Sequence, residues 1–338
     1  MIEISGDYGE GGGSIVRLAI AMSAVTKKPV RVHSIRSKRC EPGLREQHVK
    51  SIKAVAELCN AKLKGAYIGS KEVEFHPDEI TKKKIVINVD TSGSIGLVLQ
   101  AVLLPCFFAG HGMEVEIKGG GTLGKWSPNI LYTKHILLPT IERLGFKSEL
   151  DVRKYSFYPK GGGDVVAKTR PANCNSLVID KRGELKAITG VSLASNSLGS
   201  KKVAERTTDA AKAIIAKRYS VPVNVKNLYT ESLCDGSGII LWAEFEDCII
   251  SWDALGERGK PSKDVGEDAA NGLIRQLETD ATVDEYMSDQ ILAYMALSNK
   301  YCQIKVPELS SHAKTNMWLI EEFLGKKFNV NGNIVESK

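Results

Sequence analysis

Six histidines are the natural candidates for a nucleophile or general base, and one of them stands apart. His312 lies in Ser310-Ser311-His312-Ala313-Lys314-Thr315-Asn316, a polar strand-to-helix junction with capping residues on both sides. An exposed imidazole at such a junction can act as a nucleophile if its free nitrogen stays unprotonated, and the same position also suits a plain helix cap. His33 falls in a strand, His76 in a turn before Pro77, His111 in a loop and His135 on a helix. His48, beside Gln47 and near Arg45, reads as polar support.

The second chemical feature is the run Gly9-Glu10-Gly11-Gly12-Gly13-Ser14, followed at once by the helical apolar spacing Ile15, Leu18, Met22, Val25. A glycine loop opening a helix lets backbone N–H groups and the positive helix end approach a phosphate. No Gly-Lys-Ser/Thr follows it, and its spacing is not G-x-G-x-x-G. Glu10 would repel a phosphate unless a divalent metal lay between them, which points to metal-assisted phosphate or nucleotide chemistry. Arg36-Ser37-Lys38-Arg39-Cys40-Glu41-Pro42-Gly43 forms a stiff turn whose planar guanidinium groups suit phosphate recognition. Tyr286, Asp289 and Gln290 open a helix at spacings that share one face, and can meet a ligand together.

These residues need a scaffold, and the chain repeats a pattern that could provide it. A first unit runs strand, helix from Ser14 to Thr26, strand from Pro29 to Ser34, helix from Leu44 to Ala61, then two strands ending near Pro77. A second begins at the strand 84–90. It continues through a turn at Thr91-Ser92-Gly93-Ser94, a helix through Gln100 and Leu104, a strand from Met113 to Ile117, and a helix from Asn129 to Leu144. A third appears late, with a helix from Ser288 to Leu297, a strand from Tyr301 to Val306 and a helix from Ala313 to Phe323. The expected fold is therefore α/β (α+β). Three repeated β-α-β-α-β-β units of about 80 residues would form a large domain, 1–180 and 281–338, with a smaller inserted α/β domain, 181–280.

The chain has 338 residues, 43% of them hydrophobic, enough to bury a large core. Its seven cysteines are scattered singly without a C-x-x-C pair, which argues against a disulfide framework or structural zinc and for a reducing, cytoplasmic setting. The N-terminus starts with a strand-like pattern rather than a signal peptide, and no apolar run reaches membrane-spanning length. The net charge of +6 fits an acidic partner loosely. Lys201-Lys202 reads first as a solvated surface, and Lys201, Lys202 and Arg206, in the insertion, are also candidate contacts for such an acidic partner.

Seven segments in order resemble the RNA 3′-terminal phosphate cyclase family over nearly the whole chain. They are Gly9 to Gly13, Ile35 to His48, Asp90 to Gln100, Phe157 to Gly163, Ala254 to Lys260, Asp289-Gln290 and Ser311 to Asn316. The resemblance implies an ATP-dependent reaction on RNA with a 3′-terminal phosphate, and a divalent metal, Mg2+ or Mn2+. A histidine, matching His312, would take AMP from ATP; AMP would pass to the RNA 3′-phosphate; the vicinal 2′-hydroxyl would then close a 2′,3′-cyclic phosphate. It further implies that Glu10 binds the metal and that Arg17, Arg36 and Arg39 neutralise RNA or ATP phosphates. Gln47, Gln100, Tyr286, Asp289 and Gln290 would line the adenylate pocket.

Two segments depart from the family pattern. Thr122 to Asn129 lacks the usual aspartate and second proline, and Leu198 to Lys201 replaces a proline-containing turn. Neither removes a residue the mechanism requires. Two other readings compete. Non-catalytic cyclase-like ribosome-assembly factors lose the histidine, which is present here. Carboxyvinyl transferases share β-α-β-α-β-β repeats but do not explain the His312 segment or a single insertion.

Overall fold

The computed structural model describes residues 1–338. The first unit comprises β1 (Ile2–Ser5), α1 (Gly13–Thr26), β2 (Val30–His33), α2 (Glu46–Leu58), β3 (Lys62–Lys64) and β4 (Val73–His76). Its sheet has the order β1-β2-β4-β3, with β1 parallel to β2 and the later pairs antiparallel. The second unit repeats this wiring: β5 (Lys84–Ser94), α3 (Ile95–Phe107), β6 (Met113–Gly121), α4 (Ile130–Tyr132), α5 (Leu138–Arg143), β7 (Ser148–Lys154) and β8 (Gly163–Thr169), in the order β5-β6-β8-β7.

The first strand of the third such sheet, β9 (Leu177–Val178), comes before residues 181–280 rather than after them. Between β9 and the rest of its sheet lie β10 (Leu185–Ser195), α6 (Val203–Ile215), β11 (Val223–Thr230), β12 (Ser237–Phe245), β13 (Ile249–Leu255) and α7 (Ser262–Leu277). These strands form their own sheet, β11-β10-β12-β13, which leaves β13 as an edge. Then follow α8 (Met287–Gln290), α9 (Leu292–Leu297), β14 (Cys302–Lys305), α10 (Ser311–Leu324), β15 (Phe328–Asn331) and β16 (Ile334–Ser337). The third sheet, β9-β14-β16-β15, has the strand order of the first two. With two residues, β9 is too short to show a period, which is why sequence pattern starts this unit late.

The helices of the three sheets meet one another. Apart from Gln100, every residue of α3 is buried, so α3 fits only an interior helix, and it packs on α1 and α2 while α1 also packs on α10. No helix is long and apolar enough to cross a membrane.

Two local readings are corrected. Thr91 to Ser94 is not a free turn: β5 runs on to Ser94, which pairs with Gly121 after a register break following Val89. The partner strand accommodates this break through Gly119 at φ +96°, where a Cβ would lie 1.9 Å from the Val89 carbonyl oxygen. The helix expected from Asn129 to Leu144 is interrupted by a π-helical turn, Thr133–Leu137. Interruptions of this kind commonly re-aim side chains at functional sites.

Both chain crossings into residues 181–280 are tied by Arg182. Its guanidinium donates to the carbonyls of Leu277 (2.9 Å), Gln276 (3.2 Å) and Ala281 and to Thr279 Oγ1 (3.1 Å). The same group lies 5.5 Å from the Phe245 ring. It therefore caps the C-terminus of α7 with a positive charge, the favourable sign there. Arg182→Ala is expected to lower unfolding free energy in urea by about 2–3 kcal/mol. Arg182→Lys is expected to restore less than half of that, because a single ammonium cannot span the fork. Unchanged denaturation of the alanine variant would contradict the role.

Candidate active site

The glycine loop is held against α10 at three places. Gly9 sits at φ +53° with its Cα so close to Thr315 that a Cβ would be 2.4 Å from Oγ1. Tyr8 stacks on Trp318 of α10, with ring centroids 3.8 Å apart and planes 16° from parallel. Glu10 then meets His312, its Oε2 lying 2.8 Å from the imidazole Nε2. His312 itself is not the helix cap. Ser310 is, accepting from the Ala313 N–H at 3.0 Å, which leaves the imidazole half exposed and free of a structural task.

On the other side of the loop, Gly12 caps α1 without a side-chain hydrogen bond, so the first amides of α1 stay open. Arg39 Nη2 donates to the Glu10 carbonyl at 3.3 Å, placing one guanidinium over the loop. Arg36 is turned differently: its Nη1 donates to the carbonyls of Glu41 (2.9 Å) and Gly43 (3.1 Å) and braces its own turn. His48 is buried as polar support. Its Nδ1 accepts from the Arg45 amide at 3.0 Å, and its Nε2 lies where a Cβ on Gly13 would be, 2.0 Å away. Burial first, then Arg17, Arg36 and Arg45, push its pKa down to about 3, so the ring is neutral.

His312 opens onto a cavity of about 890 Å³, within the range of small-molecule sites. Arg17, Gln100, Tyr286, Asp289 and Gln290 line the same cavity. Glu10, Arg36, Arg39 and Gln47 do not; Glu10 and Arg39 lie at the loop beside it, and Gln47 lies against Gly93. Gln100 Nε2 donates to Gln290 Oε1 at 3.0 Å, and Gln290 Nε2 donates to the Tyr286 carbonyl at 3.2 Å.

Arg17 is buried with its Nε unpartnered, and burial pushes its pKa down to about 10 against the pull of Asp289, so it remains a cation. Asp289 is pushed up to about 7, by burial first and then by Asp284 and Glu10, with Arg17 opposing. A buried cation with an unpaired donor, in the cavity that His312 also lines, is a group that awaits an anion.

Sequence reasoning missed the outer wall. Trp252, Asp253, Lys260 and Arg275, from β13 and α7 and the turn between them, line the cavity, as do Tyr132 and the loop 124–129. Trp252 stacks on Tyr286 (5.3 Å, 28°), Tyr132 meets Tyr286 edge-on (6.0 Å, 87°), and Arg275 lies 5.5 Å from the Trp252 ring. The buried Asp284 fixes this wall, accepting from Ser251 N (3.0 Å), Ser251 Oγ (2.7 Å), Tyr132 Oη (2.9 Å) and Met287 N (2.8 Å). The sequence signals for the wall were two: the segment Ala254 to Lys260, which follows directly, and the departure from the family pattern at Thr122 to Asn129, whose residues 124–129 line the cavity. None of Lys201, Lys202 and Arg206 lines the cavity.

No cluster of three or more His, Cys, Asp or Glu side chains could hold a metal on its own. The single partly exposed carboxylate of Glu10 fits a hard divalent cation that takes its remaining oxygens from phosphate and water.

A family model described as RNA 3′-terminal phosphate cyclase matches residues 8–330. Proteins named RNA 3′-terminal phosphate cyclase are similar along almost their full length. The one from Thermococcus onnurineus is 41% identical over 99% of this chain and 97% of its own. The one from Pyrococcus abyssi is 42% identical over 99% and 96%. The one from Methanopyrus kandleri is 39% identical over 98% and 96%. Among solved structures, an enolpyruvyl transferase from Streptomyces tendae matches 50% of this chain and 33% of its own at 13% identity and a TM-score of 0.28, too slight a likeness to carry a conclusion.

The buried charges make stability depend on pH in opposite directions. His48 titrates near 6.5 when unfolded and near 3 when folded, so between these values the unfolded chain binds the extra proton. Its contribution is complete above about pH 6.5 and falls as pH drops, by up to about 1.4 kcal/mol per pH unit. Asp289, raised to about 7, binds its proton in the folded state and favours folding at the acid end of its own window. The difference between wild type and His48→Gln isolates the first effect. Denaturation measured from pH 7.5 to 5 is expected to show a shallower acid decline in the variant, and equal slopes would contradict a buried neutral His48.

Proposed function

The chain belongs to the RNA 3′-terminal phosphate cyclase family, and from that premise we propose how its own residues convert an RNA 3′-terminal phosphate to a 2′,3′-cyclic phosphate with ATP. The observation that carries the reading is His312: an imidazole freed from capping, at the mouth of an aromatic and polar cavity, 2.8 Å from a carboxylate on a glycine loop.

In the first step His312 attacks the α-phosphorus of ATP. A P–N bond forms, the bond to the β-phosphate oxygen breaks, and pyrophosphate leaves. Attack from Nε2 requires its lone pair to face phosphorus, so its contact with Glu10 must open and the ring proton must sit on Nδ1. Arg17, Arg39 and the open amides of α1 supply positive charge where negative charge builds on the transferring phosphoryl oxygens. Arg36 supports that arrangement by holding the turn that carries Arg39. The adenosine occupies the wall made by Tyr286, Gln100, Gln290 and Asp289; Gln47, which lies against Gly93 outside the cavity, takes no part in that wall. In the second step an RNA 3′-phosphate oxygen displaces His312 and takes the adenylyl group. In the third the 2′-hydroxyl attacks the activated 3′-phosphorus, closing the ring and releasing AMP. Adenylylation turns a poor leaving group into a good one, and the neighbouring 2′-oxygen makes closure effectively unimolecular.

Glu10 would hold a divalent metal, Mg2+ or Mn2+, which when bound supplies charge neutralisation at the phosphates. Catalysis is assigned to residues 1–180 and 281–338, with 181–280 as a distinct inserted domain that closes the pocket from outside. The reducing, cytoplasmic setting expected from the unpaired cysteines fits a nucleophilic mechanism that uses none of them.

Incubation with ATP labelled at the α-phosphate and Mg2+ is expected to leave acid-labile label on the wild-type protein and none on His312→Ala. Glu10→Gln is expected to slow labelling by at least about a hundredfold, the scale seen when a charge-stabilising group is removed. Label on both wild type and His312→Ala would move the nucleophile elsewhere. Absence of label on the wild type would contradict the mechanism.

A further inference from the structure

We infer that Tyr67 is a platform on which the RNA strand stacks a base upstream of its 3′ end, with Lys38 meeting a backbone phosphate beside it. The inference deepens the reading of the chain as an RNA 3′-phosphate cyclase and rests on it.

An RNA whose 3′-phosphate reaches His312 must carry the rest of its strand out of the site. The adenosine wall is filled at that step, so the strand leaves past the phosphate end, where the glycine loop presents Glu10 to His312. Arg39 donates to the Glu10 carbonyl at 3.3 Å and Lys38 to the Asp7 carbonyl at 2.8 Å, which lays the turn 36–43 against that loop.

Arg36, Lys38 and Arg39 spend their hydrogen bonds on backbone carbonyls and not on carboxylates. Burial first, then Arg45 and Arg39, lower the Arg36 pKa, so the like charges lie close enough to oppose one another. A polyanion relieves that repulsion. On the rim made by the loop 124–129 and the turn after β13, lysines are already neutralised, Lys125 by Glu257 at 2.9 Å and Lys260 by Asp268 at 2.5 Å.

The second observation is aromatic. The connection from β3 to β4 folds back as a tight turn, the Ser70 amide donating to the Tyr67 carbonyl at 3.1 Å with Gly69 at φ +83°. Backbone hydrogen bonds sew this turn to both ends of the basic one. The Gly69 amide donates to the Leu44 carbonyl (2.8 Å), the Leu44 amide to the Ser70 carbonyl (2.8 Å) and the Ile35 amide to the Lys71 carbonyl (3.0 Å). Gly43, at φ +86°, lets the two turns touch, since a Cβ there would lie 2.3 Å from the Gly69 carbonyl oxygen. The side chains at the tip are left outside, Tyr67 65% and Ile68 62% exposed.

A single exposed apolar side chain is ordinary. An exposed ring fixed beside a basic turn has the composition of a single-strand surface, with an aromatic face for a base and cations for the phosphates. Neither Tyr67 nor Lys38 lines the cavity, so this surface lies outside the nucleotide pocket.

The test measures cyclisation kcat/KM for a dinucleotide and a decamer of RNA, each ending in a 3′-phosphate, alongside self-labelling by ATP without RNA. Wild type is expected to favour the decamer. Tyr67→Ala is expected to lose about tenfold or more on the decamer, mainly through KM, and little on the dinucleotide. Tyr67→Phe is expected to keep the wild-type value, because stacking needs the ring and not the hydroxyl. Both tyrosine variants are expected to self-label like wild type. Lys38→Gln is expected to flatten the salt dependence of decamer binding, its log–log slope falling by about 0.7.

Equal efficiency of wild type and Tyr67→Ala on the decamer would overturn the inference and leave the tip to a protein contact. Equal losses on both RNAs, or slowed self-labelling, would reduce Tyr67 to a structural role and overturn it as well. A length-dependent loss in Trp126→Ala with none in Tyr67→Ala would send the strand over the other rim, where Trp126 is exposed. Should wild type neither label nor cyclise, the cyclase reading falls, and anisotropy of a fluorescent decamer with a 3′-phosphate still judges the contact. Weaker binding to Tyr67→Ala then supports it, and equal binding contradicts it.

Discussion

The close approach of the glycine loop to α10 is the constraint on which the rest of the site depends. Gly9 must have no side chain because Thr315 occupies the space, and it must adopt a positive φ. Once the loop is seated there, the Tyr8–Trp318 stack sets its height and Glu10 is presented to His312. The loop belongs to the first unit and α10 to the third, so Glu10 and His312 meet only when the two units are packed together. This explains why neither segment is informative alone. A glycine turn is an ordinary connector, and a histidine after two serines is an ordinary helix start.

A second contact brings in the sheet formed by β10 to β13. Asp284, buried and carrying four hydrogen bonds, joins β13, Tyr132 of the second unit and the start of α8. Its cost in desolvation is offset by those donors, and the bonds make the Trp252 ring a fixed backing for Tyr286. Arg182 reinforces the same geometry at the chain crossings. Trp252, Asp253, Lys260 and Arg275 thus bring part of residues 181–280 into the cavity wall, and none of Lys201, Lys202 and Arg206 lies there.

Much of the scaffold was legible in the sequence because the helices are strongly periodic. The apolar spacing in α1 and α2 placed those helices to within a few residues, and the apolar residues on either side of Gln100 marked α3. What was not legible follows from physics that one-dimensional pattern does not carry. The two-residue β9 has no period, and β13 lies beyond an acidic turn and mixes Ser251 and Asp253 with apolar neighbours. The extension of β5 through Thr91 to Ser94 depends on glycines some thirty positions later in β6. Among the chemical residues, Arg17, Gln100, Tyr286, Asp289, Gln290 and His312 share one cavity, whereas Arg36 braces its own turn and Gln47 sits at Gly93. Trp252 and Asp253 were invisible because their role comes from tertiary docking of an edge strand and not from spacing.

The central claim is that His312 is the atom-level acceptor of the adenylyl group. The most direct measurement is peptide-level mass spectrometry of the protein after incubation with ATP and Mg2+, digested and separated under alkaline conditions that preserve a P–N bond. The expected result is one adenylylated peptide, the one spanning Ser310 to Asn316, with fragment ions placing the added mass on His312 and with its loss on exposure to acid. Adenylylation mapped to another histidine or to a lysine, with the Ser310 to Asn316 peptide unmodified, would contradict it.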